Sequence, residues 1–179
     1  MKIVLFILFS CIVIQDVSAQ GKEYVCTPCG NTCDNMVHDG PGTCATCHMK
    51  LIEKSSVRFS NLTIDEFCKR IAANPNAILL DVRSAGEFNG TSSEVATFGY
   101  FKNAININVN ELESRLDELE KFKDREILVY CSHSRRSPRA SYLLATHGFH
   151  QVKNMTGGVS TLSVQGSDCL KETFVAHKK

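Results

Sequence analysis

Residues 126–148, "EILVYCSHSRRSPRASYLLATHG", hold the transition that decides the fold. The first six are a short run of buried-strand character that ends at Cys131. From Arg136 onward the pattern is helical. Ala140, Leu143, Leu144 and His147 share one stripe, Pro138 stands in the first turn and Gly148 supplies the stop. Cys131 therefore sits where a strand ends, with a basic loop leading straight into a helix.

The same alternation extends to both sides. "LTIDEFCKRIAANP" predicts a helix: Thr63 and Glu66 have capping-box spacing, and Ile64, Phe67, Cys68 and Ile71 recur at helical intervals before Pro75. "AILLDV" and "AININ" read as strands, as does "HQVKNM" near the end of the domain. "NELESRLDELEKF" predicts another helix, with Asn110 and Glu113 at capping spacing and Leu112, Leu116 and Leu119 on one face. Strand–helix alternation implies an α/β domain with a mainly parallel sheet flanked by helices. In such sheets ligands lie beyond the carboxyl ends of the strands, where Cys131 falls.

This placement has chemical consequences for the thiol. A tight loop that opens a helix turns backbone N–H groups inward, and the helix dipole adds partial positive charge. Arg135, Arg136 and Arg139 add full charges, and Ser132, Ser134 and Ser137 offer hydrogen bonds. Together these favour a nucleophilic thiolate and a cradle for an anion or for the extra sulfur of a persulfide. The plain alternative is a small apolar residue closing a strand, with the arginines solvated.

Cys131 through Arg136, followed by Ser137, resembles the active-site loop of the rhodanese family: a nucleophilic cysteine opens a six-residue loop that ends in arginine before Ser or Thr. Three further segments are similar to that family's signatures: "ILLDVRSAGEF", "GYFKNAININ" and "HGFHQVKNMTGGVSTL". The resemblance spans residues 58 to 165. It implies a rhodanese-like three-layer domain and a sulfurtransferase that needs no organic cofactor. On that likeness, thiosulfate or another small sulfur-containing anion loads Cys131 as a persulfide, and cyanide or a thiol removes the sulfur. Ser132, His133, Ser134, Arg135, Arg136 and Ser137 would bind the substrate, with Arg136 closing the loop. Asp81 and Arg83 match signature positions and read as architectural, Arg83 being expected to pair with Glu87. Related phosphatases and arsenate reductases use a loop one residue longer, so loop length favours sulfur over a tetrahedral oxyanion. The chain departs from the family at Ser134, where glycine is common, in the lengthened "NGTSSEVATF", and in lacking tryptophan after Gly157-Gly158.

Ahead of this domain five cysteines crowd into residues 26 to 47. Cys26-x2-Cys29 and Cys44-x2-Cys47 are two knuckles able to present four thiolates to Zn²⁺ in the manner of a zinc ribbon. Cys33 and His48 are alternative ligands, and disulfides are the competing arrangement. "DGPGTCATCHMKL" also resembles a short heavy-metal-binding module.

At the start of the chain, Lys2, the apolar stretch Ile3 to Ile14 and Val17-Ser18-Ala19 have the order of a signal peptide cleaved before Gln20. A lipoprotein reading would use Cys11 instead. The expected divisions are 1–19 signal peptide, 22–54 Cys-rich module, 57–168 rhodanese-like domain and 169–179 C-terminal tail. The expected location is periplasmic or secreted. A net charge of +1 and the absence of Trp give no sign of a nucleic-acid partner, and no later segment has the length and apolarity of a transmembrane span. An exported sulfurtransferase is thus the leading expectation. A soft-metal-binding or sensing protein with little turnover is the alternative, ahead of an arsenate reductase or phosphatase.

Overall fold

The computed structural model describes residues 21–162 and 168–177. The expected signal peptide and Cys11 lie outside the described residues, as does the side chain of Cys169.

The Cys-rich module is a small antiparallel sheet. β1 (Tyr24–Cys26) lies between β2 (Val37–His38) and β3 (Leu51–Glu53), and a 3₁₀ turn at Thr32–Asn35 connects the first two strands. Its interior is largely sulfur: Cys26, Cys33 and Cys44 are buried with Leu51, and Cys29 and Cys47 pack against them.

The main domain begins at β4 (Ser60–Leu62), followed by helix α1 (Ile64–Ala73) and strand β5 (Ile78–Asp81). Helix α2 (Ala85–Asn89) precedes the short strands β6 (Tyr100–Phe101) and β7 (Ile105–Asn106). Strand β8 (Glu126–Tyr130), helix α3 (Ser137–Thr146) and strand β9 (Gln151–Met155) complete the central unit. The five-stranded sheet has the order β4-β9-β8-β5-β7, with every neighbouring pair parallel.

Side-chain alternation divides the apolar runs between two faces of the sheet. Leu80, Val82, Ile127, Val129 and Cys131 join Ala140 and Leu144 of α3 on one face. Leu79, Leu128 and Tyr130 join Ile64, Phe67 and Cys68 of α1 on the other. Cys131 is thus fixed by its parity in the strand to the face that α3 covers. α1 starts with the expected capping box: the Thr63 hydroxyl accepts from the Glu66 N–H, and the Glu66 carboxylate accepts from the Thr63 N–H. A cap of this kind contributes about 1 kcal/mol. Cys68 is core on this helix, 2% exposed, and is disulfide-bonded.

Three expectations change. The segment Glu113–Phe122 is a run of 3₁₀ turns broken at Arg115 (φ −118°, ψ 18°), not a regular α-helix. Asn110 does not cap it. Instead the Asn108 side chain accepts from the Asn110 N–H in a local turn that competes with a helix start. Leu112 and Leu119 nevertheless reach the core. The expected C-terminal tail carries structure of its own: α4 (Asp168–Thr173) leads to β10 (Phe174–Val175), which pairs antiparallel with β6. There Phe174 packs edge-on against Phe101, burying an aromatic surface that no local sequence pattern announces.

Arg83 does not pair with Glu87. Its side chain folds back onto Asp81, Nη2 to Oδ2 at 2.5 Å, and both are fully buried. The two are separated by a single residue just past the end of β5, so the short return is available inside the core. Glu87 faces elsewhere.

Candidate active site and cysteine cluster

β8 delivers Cys131 to the carboxyl end of the sheet, and α3 begins six residues later, so the chain must turn back over the sulfur. Three interactions hold that turn. The Val159 and Ser160 N–H groups donate to the carbonyls of Cys131 and Ser132, both at 2.9 Å. The Ser134 hydroxyl donates to the Met155 carbonyl at 3.2 Å. Gly158 lies directly on the loop: a Cβ there would stand 2.6 Å from the His133 nitrogen and closer still to the Ser132 carbonyl, at a φ of +71°. Only glycine fits that approach. Ser134 itself has φ 54°, the left-handed conformation for which glycine is the common choice.

Within the loop, Cys131 is fully buried and its Sγ lies 3.4 Å from the Ser137 hydroxyl, also buried. Arg136 does not point at the sulfur. Its guanidinium grips Glu87 in a bidentate pair, Nη1 to Oε2 at 2.6 Å and Nη2 to Oε1 at 2.7 Å. The Ser132 hydroxyl donates to the same carboxylate at 2.7 Å. Glu87 thus ties both ends of the loop together from α2, where Ser84 holds it in a second capping box. Sequence reasoning missed this role, although the Ser84–Glu87 spacing was a visible signal. Arg135, Arg139 and His133 are exposed, and the His133 ring meets Phe98 edge-on at 5.8 Å.

Burial alone would raise the Glu87 pKa, but the hydrogen bonds from Arg136, Ser132 and the Ser84 backbone hold it at about 2. A carboxyl lowered on folding stabilises the fold fully above the ordinary glutamate value of about 4.3, and that contribution is lost as pH falls through the folded-state value. The thermal midpoint of the native chain should therefore drop between about pH 4.5 and 2, and Glu87→Gln should remove this part of the drop. A difference between native and Gln proteins that stays constant across that window would contradict the assignment.

In the module, the sulfurs of Cys26, Cys29, Cys33 and Cys47 all lie within 4.8 Å of one another. This set differs from the expected quartet by one residue, Cys33 in place of Cys44. Cys44 stays in the same cluster. Hydrogen bonds from the backbone N–H groups of Cys47 and Thr46 lower its pKa to about 7 against the opposing effect of burial. Burial pushes Cys33 up to about 12 and raises Cys26 and Cys29 as well. Tetrahedral zinc with Zn–S bonds of about 2.3 Å sets its sulfurs about 3.8 Å apart. The Cys29–Cys33 separation of 3.7 Å meets this, while Cys26–Cys47 at 3.0 Å must open slightly. The donor set fits a soft or borderline cation such as Zn²⁺, which would replace protons on these thiols. Among the described residues no helix is long and apolar enough to cross a membrane.

Comparison with known proteins agrees with this geometry. The family model for the rhodanese-like domain matches residues 63–163. The tRNA uridine(34) hydroxylase of Buchnera aphidicola is 28% identical over 128 residues, covering 62% of this chain and 38% of that protein. The Bacillus subtilis protein YqhL, described as uncharacterized, is 34% identical over 97 residues, covering 54% of this chain and 67% of its own length. Among solved structures, reduced Bacillus anthracis CoADR-RHD superposes with a TM-score of 0.51 at 26% identity, covering 65% of this chain and 18% of that one. The chain thus spans well under half the length of the hydroxylase it matches.

Proposed function

We propose, for a chain that belongs to the rhodanese-like domain family, that Cys131 carries sulfane sulfur from a small anionic donor to a thiophilic acceptor. The observation that carries this reading is the loop Cys131–Arg136, closed on itself by the Glu87 carboxylate, with the Cys131 sulfur buried against the Ser137 hydroxyl. In the first step the Cys131 thiolate attacks the outer sulfur of thiosulfate. A Cys–S–S⁻ bond forms, the S–S bond of the donor breaks, and sulfite leaves with the electron pair. In the second step cyanide or a thiolate attacks the terminal sulfur, forming thiocyanate or a new persulfide and returning Cys131 as thiolate. No external oxidant or reductant is consumed. Arg136 stabilises the loop through Glu87, while exposed Arg135 and Arg139 supply positive charge at its outer surface. The hydroxylase name borne by a relative describes a much longer protein, whereas every group used here lies within this chain.

The Cys-rich module is part of the same proposal, as a structural zinc site. The mutual reach of four thiolates supports it. So is export, supported by the apolar stretch from Ile3 to Ile14. A mature chain starting at Gln20 is the result expected from N-terminal sequencing of protein secreted by its host.

Mass spectrometry tests the central step. Thiosulfate treatment should add one sulfur to the intact protein, located on the peptide that contains Cys131, and cyanide should remove it as thiocyanate. No adduct and no thiocyanate would overturn the reading.

A further inference from the structure

The cysteine cluster and the sulfur loop touch each other. Gly30, the residue after Cys29, rests on the backbone of the loop at Ser134 and Arg135. A Cβ on Gly30 would lie 2.8 Å from the Arg135 carbonyl oxygen, and closer still to the Arg135 Cα and the Ser134 carbonyl oxygen, at a φ of +78°. This is backbone packed on backbone, a contact that leaves neither side room to adjust. The knuckle is also stiff from within, because the Asp34 carboxylate accepts from the backbone N–H groups of Cys29 at 3.0 Å and Gly30 at 2.7 Å.

The module straddles the loop. On one side a cleft of ≈ 460 Å³ runs between Gly30 and Asn31 and the loop residues His133 and Ser134. On the other a cleft of ≈ 530 Å³ runs between Cys29 and Met49 and the arginines Arg135 and Arg139. Cys131, which opens the same loop, is fully buried, so any reagent or donor that reaches its sulfur requires the surrounding structure to open.

We propose that a metal ion held by Cys26, Cys29, Cys33 and Cys47 clamps the module onto the Cys131 loop, so that metal occupancy sets how readily that loop opens. This rests on the zinc reading of the module, and it adds regulation to the sulfur site. The physical link is one peptide bond long: Cys29 is a ligand and Gly30 is the contact. With the ion bound, Cys29 is joined to residues in β1, in the 3₁₀ turn and in the second knuckle. Without it, the knuckle that bears Gly30 keeps its Asp34 hydrogen bonds and the 3.7 Å approach of Cys29 to Cys33, but loses the ties through the ion to β1 and the second knuckle.

Full-length mature protein, loaded with Zn²⁺ or stripped by a chelator under a phosphine reductant, provides the test. Two readouts apply: deuterium uptake of the peptide spanning 132–136, and the alkylation rate of Cys131 quantified on its own peptide. Removal of zinc should raise the alkylation rate about tenfold and increase uptake in the loop. Gly30→Ala should still bind equimolar zinc but wedge the module off the loop, so that loaded and stripped forms behave alike. Equal rates and equal uptake in loaded and stripped native protein would overturn the proposal, as would a full zinc response in Gly30→Ala. Should Gly30→Ala fail to bind zinc, the native pair decides alone. Native protein that takes up no zinc refutes the clamp, while sulfur loading of Cys131 stands or falls separately on its mass shift.

Discussion

Cys131→Ser is expected to abolish sulfur loading and to lower cyanide-dependent thiocyanate formation by at least about 10³-fold. A serine hydroxyl stays protonated at neutral pH and cannot carry a persulfide, so no cradle geometry compensates for the change of atom. The fold should survive. Cys131 lies in the core face shared by β8 and α3, and serine has nearly the same shape. The new hydroxyl finds a partner at once in Ser137, whose oxygen already lies 3.4 Å from the sulfur, so the stability change should stay near about 1 kcal/mol. Rate and thermal midpoint measured on the same preparation separate the two effects. A serine variant that keeps more than about a tenth of the native rate would remove Cys131 from the chemistry.

What could be read from the residues was whatever a local pattern specifies. Strands β5 and β8 follow from short continuous apolar runs, buried on both faces, and the start of α1 follows from Thr63 and Glu66. β4 left no such trace, since Ser60 and Asn61 are exposed and its pairing with β9 rests on the backbone ladder and one amide pair, Asn154 Nδ2 donating to Asn61 Oδ1 at 2.8 Å. The expected helix over the Leu112–Leu119 stripe had the right apolar spacing. Its geometry was decided instead by the Asn108 turn and the break at Arg115. At the site, the loop itself was legible because it is contiguous. The group that closes it, Glu87, lies 49 residues from Arg136 and was assigned to a nearer arginine. The exchange has a physical basis: Arg83 had a carboxylate two residues away in the buried Asp81, leaving Glu87 to the loop. Cys33 entered the sulfur cluster for a similar reason, because the turn at Thr32–Asn35 carries it inward beside Cys29.

That buried Asp81–Arg83 pair yields the largest expected effect on stability. Arg83→Met should cost about 3–5 kcal/mol, because it leaves the Asp81 carboxylate charged in the core with little beyond a backbone donor. Arg83 makes three side-chain bonds to Asp81 and one to the Gly99 carbonyl, which also fixes the segment leading into β6. Its guanidinium lies 5.9 Å from the centre of the Tyr130 ring, immediately before Cys131. Loss of the arginine should therefore loosen the end of β8 as well as destabilise the whole domain. Much of the cost arises from the stranded charge, so the double variant Asp81→Asn, Arg83→Met should recover most of it. Denaturant unfolding of the native, single and double variants forms a cycle with a coupling of about 2 kcal/mol or more. Additive losses would mean that the two side chains act independently. Recovery in the double variant would show that the single variant's cost is that of an unmatched buried charge, and that the pair's contribution to stability over an apolar replacement is small.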